Sequence, residues 1–278
     1  MNQPLIRDTL KELGLAPAKS RGQNFLKDET QIARLAGSIL TAAGAKAALV
    51  EIGPGLGALT RPFLEAGARV TAVEIDRGLA ENLTAGLAAD YPGRLTVLHR
   101  DILRLGADDL PRATPLYLCG NLPYNISSPV LFWFLSRRRF FSGAMFMLQK
   151  EMARRLTAEP GTKEYGRLTV ALSLWSRVAE IMVVPPSAFH PRPRVESVVV
   201  ALTPVSPAEE PTVSPAALGR LTAAAFAARR KTILNNLGEV YGRERSALAL
   251  ESLGLNPAWR AEVLAPATLA QLAARLES

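Results

Sequence analysis

The first chemical signal comes from glycines and acids at fixed spacings. Glu51-Ile52-Gly53-Pro54-Gly55-Leu56-Gly57 ends an apolar run and opens a helical pattern. Gly53, Gly55 and Gly57 let the backbone turn tightly and admit a ligand where a Cβ would block it. The spacing is Gly-x-Gly-x-Gly, not the Gly-x-Gly-x-x-Gly of dinucleotide binders, and alone it also fits a turn with no ligand. Two acids extend the signal. Glu74 ends the next apolar run, 21 residues after Gly53, where a carboxylate can accept from both ribose hydroxyls of an adenosine. Asp101 ends the third run, where a carboxylate can take the amino protons of an adenine ring. Together they point to a nucleoside cofactor, with NAD still open on these residues alone.

Asn121-Leu122-Pro123-Tyr124 ends the fourth run, on the edge where open α/β sheets bind ligands. The segment resembles the Asn-(Leu/Ile/Pro)-Pro-Tyr motif of S-adenosylmethionine-dependent amino-methyltransferases. An adenine amino group is a poor nucleophile because its lone pair is delocalised into the ring. The Asn121 amide oxygen and the Leu122 carbonyl can accept its two N–H bonds and favour a pyramidal, in-line nitrogen. Pro123 stiffens the loop. Tyr124 offers a ring on which a flipped base can stack. No strong base is required, because the nitrogen becomes acidic as it gains the methyl.

Further motifs narrow the resemblance. Gln23-Asn24-Phe25-Leu26 precedes the first strand, and Phe189-His190-Pro191-Arg192-Pro193-Arg194-Val195-Glu196-Ser197 precedes the last. With Leu148-Gln149-Lys150-Glu151 and Arg229-Arg230-Lys231-Thr232, the chain resembles the ribosomal RNA adenine N6,N6-dimethyltransferases linked to kasugamycin sensitivity. The resemblance implies S-adenosyl-L-methionine contacts at Asn24, Leu26, Gly53, Gly55, Glu74, Asp101 and Asn121. It implies an aromatic at Phe189 stacking on the target base opposite Tyr124. The implied substrate is the N6 atoms of two adjacent adenosines in the 3′-terminal hairpin of small-subunit ribosomal RNA, modified during late subunit assembly. The macrolide-resistance relatives, which act on large-subunit RNA, resemble Gly-Ser-Gly-x-Gly and Asn-Ile-Pro-Tyr instead. A DNA adenine methyltransferase and a subunit-assembly binding factor remain as rival readings.

The elements that must position these residues follow from periodicity. Apolar runs at 47–53, 69–76, 95–101, 115–121 and 143–148 alternate with helical patterns at 58–66, 77–88 and 127–135. That alternation predicts an α/β fold with a parallel sheet covered on both faces, and the resemblance implies that it is a Rossmann-like methyltransferase sheet. Residues 196–204 predict one more strand, with 181–186 as its hairpin or edge partner. Residues 204–215 hold Pro204, Pro207, Pro211 and Pro215 and read as a linker. Residues 216–278 are rich in Ala and Leu at helical spacing, broken at Leu255-Asn256-Pro257 and Pro266. The expected division is a catalytic domain over 1–203 and a small all-helical RNA- and subunit-docking domain over 216–278.

Composition limits the alternatives. The chain has 278 residues, 48% hydrophobic and 21% charged, as ordinary globular proteins have. Cys119 is the only cysteine and there are two histidines, too few for a disulfide or a four-ligand zinc site. His99 and His190 lack metal spacing, and no metal is expected. No apolar run approaches the roughly 18 residues of a membrane span. The start carries charges where a signal peptide needs an apolar stretch and acids that transit peptides avoid, so a cytoplasmic protein is expected; a monomer is expected as well. A formal net charge of +8 favours an anionic partner, nucleic acid first. Candidate phosphate contacts are Arg192 and Arg194 beside the proposed base pocket, Arg229, Arg230 and Lys231 in the helical region, and also Arg154, Arg155, Lys19 and Arg21. Arg137, Arg138 and Arg139 are expected to form a solvated face.

Overall fold

The computed structural model describes residues 6–14, 23–45, 48–112 and 115–277. Lys19 and Arg21 lie outside the described residues. The described residues form nine strands: β1 (Phe25–Leu26), β2 (Ala48–Ile52), β3 (Arg69–Glu74), β4 (Leu95–His99), β5 (Leu116–Asn121), β6 (Phe141–Gln149), β7 (Ser176–Val184), β8 (Phe189–His190) and β9 (Ser197–Pro204). Seven of them form one sheet in the order β4-β3-β2-β5-β6-β9-β7. Strands β4 through β6 are parallel, and β9 runs antiparallel to β6.

Strands β2 and β5 are almost wholly buried, as the centre of a sheet covered on both faces requires. Their continuous apolar runs follow from that position. The order also creates a switch point. After β2 the chain builds outward through β3 and β4, then returns to place β5 on the other side of β2. Loops leaving β2 and β5 therefore diverge, and a crevice opens at the strands' carboxyl ends.

Several elements depart from their sequence-predicted bounds. The helix expected over 77–88 is α-helical over Arg77–Leu83 and widens into a π-helical turn over Thr84–Ala88. That turn brings Leu87 against the glycine loop: a Cβ on Gly57 would lie 2.6 Å from Leu87 Cδ1. β7 begins five residues earlier than expected. Its charged residues Arg177 and Glu180 suit a sheet edge, where they mask the periodicity of an interior strand.

The chain forms two compact units: Met1–Ala153 with Ala179–Thr203, and Arg154–Val178 with Pro204–Ser278. The expected boundary after 203 therefore coincides with a break, but the second unit also takes Arg154–Val178. Polar contacts distant in sequence explain it. The Tyr165 hydroxyl donates to Leu264 O at 2.8 Å, and Arg229 donates to Lys163 O and Tyr165 O. The proline-rich segment is anchored within this unit rather than loose: Val205 N–H donates to Trp175 O, and Glu209 accepts from Ser206 and Arg177. Helices Pro215–Ala225, Ile233–Tyr241, Arg243–Glu251 and Pro266–Leu276 complete it. Among the described residues, no helix is long and apolar enough to cross a membrane.

Candidate functional site

Four consecutive parallel strands deliver the chemistry-bearing residues to one crevice. The glycine loop leaves β2, Glu74 ends β3, Asp101 follows β4 and Asn121 ends β5. All four line a single cavity of about 770 Å³, together with Asn24, Leu26, Tyr124 and Phe189. That volume suits a nucleoside-sized ligand with room beside it.

The loop needs its glycines. Gly53, Gly55 and Gly57 all have positive φ, at 63°, 60° and 83°. A Cβ on Gly53 would meet nothing within 4 Å, so the open side there is the cavity itself. Gly55 N–H donates to Glu74 Oε2 at 3.1 Å, and Asp76 N–H donates to Oε1 at 2.9 Å. These bonds lock the carboxylate's orientation. Burial pushes Glu74 above the usual carboxylate range, and the two backbone donors pull it partly back. Asp101 is half-buried and caps the short helix Ile102–Arg104 through Leu103 N–H at 2.9 Å. Its cap role and its place on the cavity wall coexist.

Asn121 is held by a contact 97 residues away in sequence. Its Nδ2 donates to Asn24 O at 2.9 Å, which fixes the amide so that Oδ1 faces away from that carbonyl. Leu122 N–H donates to Met147 O, and Pro123 O accepts from Ile126 N–H and Ser127 Oγ. Among the described residues nothing donates to the Leu122 carbonyl. Two acceptors are thus left open on adjacent residues. Tyr124 is half-buried, and Gln149 hydrogen-bonds its hydroxyl; burial nevertheless pushes the phenol up.

Asn24 can serve because its segment is pinned. β1 pairs antiparallel with β8, Phe25 opposite His190 and Leu26 opposite Phe189. Lys27 N–H adds a bond to Ala188 O at 2.8 Å. The pairing joins the Gln23–Leu26 and Phe189–Ser197 motifs, but it changes the reading of Phe189. That ring is only 2% exposed and packed in the core with Leu26, Met147 and Val199. It meets the cavity as wall and does not present the free face that stacking opposite Tyr124 needs.

Two residues escaped the sequence reading. Glu51 sits inside β2 at 2% exposure and lines the same cavity, accepting from Thr60 Oγ1 at 2.6 Å. The signal was an acid inside an otherwise apolar five-residue strand. Gly120 is the other: a Cβ there would lie 2.5 Å from Ile52 O, so only glycine lets β5 approach β2 just before Asn121.

The basic candidates separate. Arg192 and Arg194 are exposed in the loop between β8 and β9, which Lys150 secures through Glu196 at 2.7 Å. Arg229 is committed within its own unit to two carbonyls and to Glu262 at 3.4 Å, and Lys231 pairs with Glu239. Of that cluster, Arg230 alone is exposed without a partner among the described residues. Arg137 lies over the Trp133 ring at 4.8 Å and Arg138 is buried, so this trio is not simply a solvated face. Among the described residues, no group of His, Cys, Asp and Glu is placed to hold a metal ion.

The model of the ribosomal RNA adenine dimethylase family matches residues 16–278. The chain belongs to that family. Its relatives include the "Ribosomal RNA small subunit methyltransferase A" of Photorhabdus laumondii, 42% identical over 246 residues and 88% of each chain. The protein of the same name from Thiobacillus denitrificans is 44% identical over 248 residues, 89% of this chain and 93% of the other. Among solved structures, a dimethyladenosine transferase from Plasmodium falciparum aligns with TM-score 0.72 and 26% identity, covering 89% of this chain and 95% of that one. The 23S rRNA methyltransferase ErmE aligns with TM-score 0.63 and 28% identity, covering 91% and 100%. This member of the dimethylase family is a ribosomal RNA adenine N6,N6-dimethyltransferase of the small-subunit type, with a Rossmann-like fold and S-adenosyl-L-methionine as methyl donor.

Proposed function

We propose that the crevice dimethylates two adjacent adenosines in the 3′-terminal hairpin of small-subunit RNA, acting on an immature subunit as a monomer. The observation that carries the reading is the Asn121 amide, oriented by Asn24 O at 2.9 Å beside a cavity of nucleoside size. The cavity fits the cofactor. Glu74, held by two backbone donors, would take the ribose hydroxyls, and Asp101 the adenine amino group. Gly53 and Gly55 would let the chain approach, with Asn24 and Leu26 on the facing wall. S-adenosyl-L-methionine supplies a methyl carbon carried on a positively charged sulfur.

The remaining work falls to this chain's residues. Asn121 Oδ1 and Leu122 O accept the target amine's N–H bonds, which localises its lone pair toward the donor. Tyr124, steadied by Gln149, carries the flipped base on its ring. Phe189 stays in the core and shapes the wall; serving as a second stacking face would require its ring to leave that core. Arg192 and Arg194, exposed in the loop between β8 and β9, would serve as phosphate contacts.

Glu74→Ala is expected to weaken binding of S-adenosylhomocysteine by about 1.5–3 kcal/mol, as loss of a hydrogen-bonding charged acceptor does. Titration calorimetry reads this directly, and unchanged affinity would remove Glu74 from the cofactor site. The substrate is tested by tritiated methyl transfer followed by nucleoside analysis. A pocket for one flipped base reads little sequence, so selectivity must come from folded RNA held elsewhere on the protein. Undermethylated subunits in low magnesium should therefore show higher kcat/KM than the isolated hairpin or compact mature subunits. Equal values on all three would reject the immature subunit as the preferred substrate.

A further inference from the structure

Two of the three tryptophans are core residues: Trp133 and Trp175 are 5% and 2% exposed. Trp259, in the second unit, is 45% exposed. It is presented by rigid backbone. Its N–H donates to Asn256 O at 3.1 Å, and its carbonyl accepts from Ile233 N–H at 2.7 Å. Ala258 N–H is bound by the Asn256 side chain at 2.9 Å, and Pro257 O accepts from Leu234 N–H. Ala261 and Leu264, just beyond, are buried anchors.

The charges around it are unbalanced. The bond to Ile233 sets Trp259 beside the chain that carries Arg229, Arg230 and Lys231. Arg229 and Lys231 are neutralised by Glu262 and Glu239. Arg230 and Arg260 are exposed and have no acidic partner among the described residues. Arg243, hydrogen-bonded to Asn235 at 3.1 Å on the helix that Ile233 opens, likewise has no acidic partner among the described residues. A protein-docking patch would be expected to surround the ring with apolar residues. Here Val263 is the one large exposed apolar neighbour in the segment, and the excess is positive.

We propose that Trp259 is an RNA-stacking residue of the second unit, on which an unpaired base of the small-subunit RNA lies while Arg230 and Arg260 hold the flanking phosphates. Aromatic stacking tolerates any base, and cations beside the ring follow the backbone, so the pair forms a docking element that needs no sequence code. The assignment rests on the small-subunit RNA reading above. It gives the second unit a specific grip on RNA, separate from the target adenosines.

The test measures equilibrium binding to a protein-free small-subunit RNA transcript and to undermethylated subunits, over a salt series. Trp259→Ala should raise Kd about 10-fold or more on both and leave the slope of log K against log salt unchanged. Trp259→Phe should restore most of that loss, because the ring face returns. Arg230→Ala should instead make the slope shallower by about 1. For Trp259→Ala, kcat at saturating RNA and affinity for S-adenosylhomocysteine should match wild type. An unchanged Kd overturns the proposal. A loss confined to assembled subunits also overturns it and assigns the ring to a ribosomal protein. Should the wild type fail to methylate small-subunit RNA, the parent reading falls, while the transcript-binding arms still decide Trp259.

Discussion

Asn121→Ala is expected to cut methyl transfer by about 10²-fold or more, while S-adenosylhomocysteine binding changes much less. The side chain ends β5 with its Nδ2 committed to Asn24 O, so its other amide atom is the one left to meet the target amine. Removing it deletes an acceptor needed most when the amine nitrogen turns pyramidal. Glu74, Asp101 and the glycine loop remain, and on the proposed reading these would hold the nucleoside. The effect should therefore fall on kcat, with little change in cofactor affinity. Asn121→Asp sharpens the assignment. An aspartate keeps an acceptor of the same shape but cannot donate to Asn24 O, and it would set two oxygens against each other at the present 2.9 Å. It should also lose most activity if orientation by Asn24 matters. Near wild-type turnover in Asn121→Ala would overturn the assigned role. Full activity in Asn121→Asp would show that the Asn24 contact is dispensable.

The residues of the crevice were legible because chemistry concentrates at strand ends. Gly53, Glu74, Asp101 and Asn121 each break an apolar run with a residue that a buried strand would not otherwise carry. The β2/β5 switch point then makes their convergence a matter of topology. Features that depend on distant contacts were not legible. β1 and β8 have two residues each, too few for any periodicity, yet their pairing positions Asn24. The stacking role of Phe189 came from the resemblance alone, and the pairing with Leu26 and the core around it, which bury the ring, leave no local trace. The segment 154–178 reads locally as part of the first unit; its allegiance is set by the Tyr165–Leu264 bond, 99 residues apart. Arg229 has the composition of a phosphate contact, and only the fold shows that its donors are spent on Lys163, Tyr165 and Glu262.

Glu51→Gln is expected to stabilise the ligand-free protein at pH 8 and to do so much less at pH 5. Glu51 is buried in β2, and removal from water pushes its carboxyl up from 4.5 to about 7. The hydroxyl of Thr60 pulls it partly back, and the charge of Glu74 on the next strand pushes it further up. Its cross-strand neighbour Cys119 has a thiol raised well above its usual range by burial, so it stays neutral and adds no second negative charge beside Glu51. Between about pH 4.5 and 7 the folded state therefore binds a proton that the unfolded chain has released. The stability this gives is complete below the unfolded value and is lost as pH rises through about 7. A shift from 4.5 to about 7 corresponds to about 3 kcal/mol of lost stability on the alkaline side. Glutamine has the same shape, can still accept from Thr60, and carries no charge to desolvate, so the variant escapes that loss. For a unit of this size the gain corresponds to roughly 6–12 °C in Tm at pH 8. Glu74, raised by burial in the same cavity, keeps a residual dependence of the same sign in both proteins. Thermal unfolding of wild type and variant across pH 5–8 measures the difference. Parallel curves, with a Tm gap independent of pH, would mean that Glu51 is already ionised at pH 5. Glu74, whose carboxyl burial also raises, would then be left to tie folding to pH.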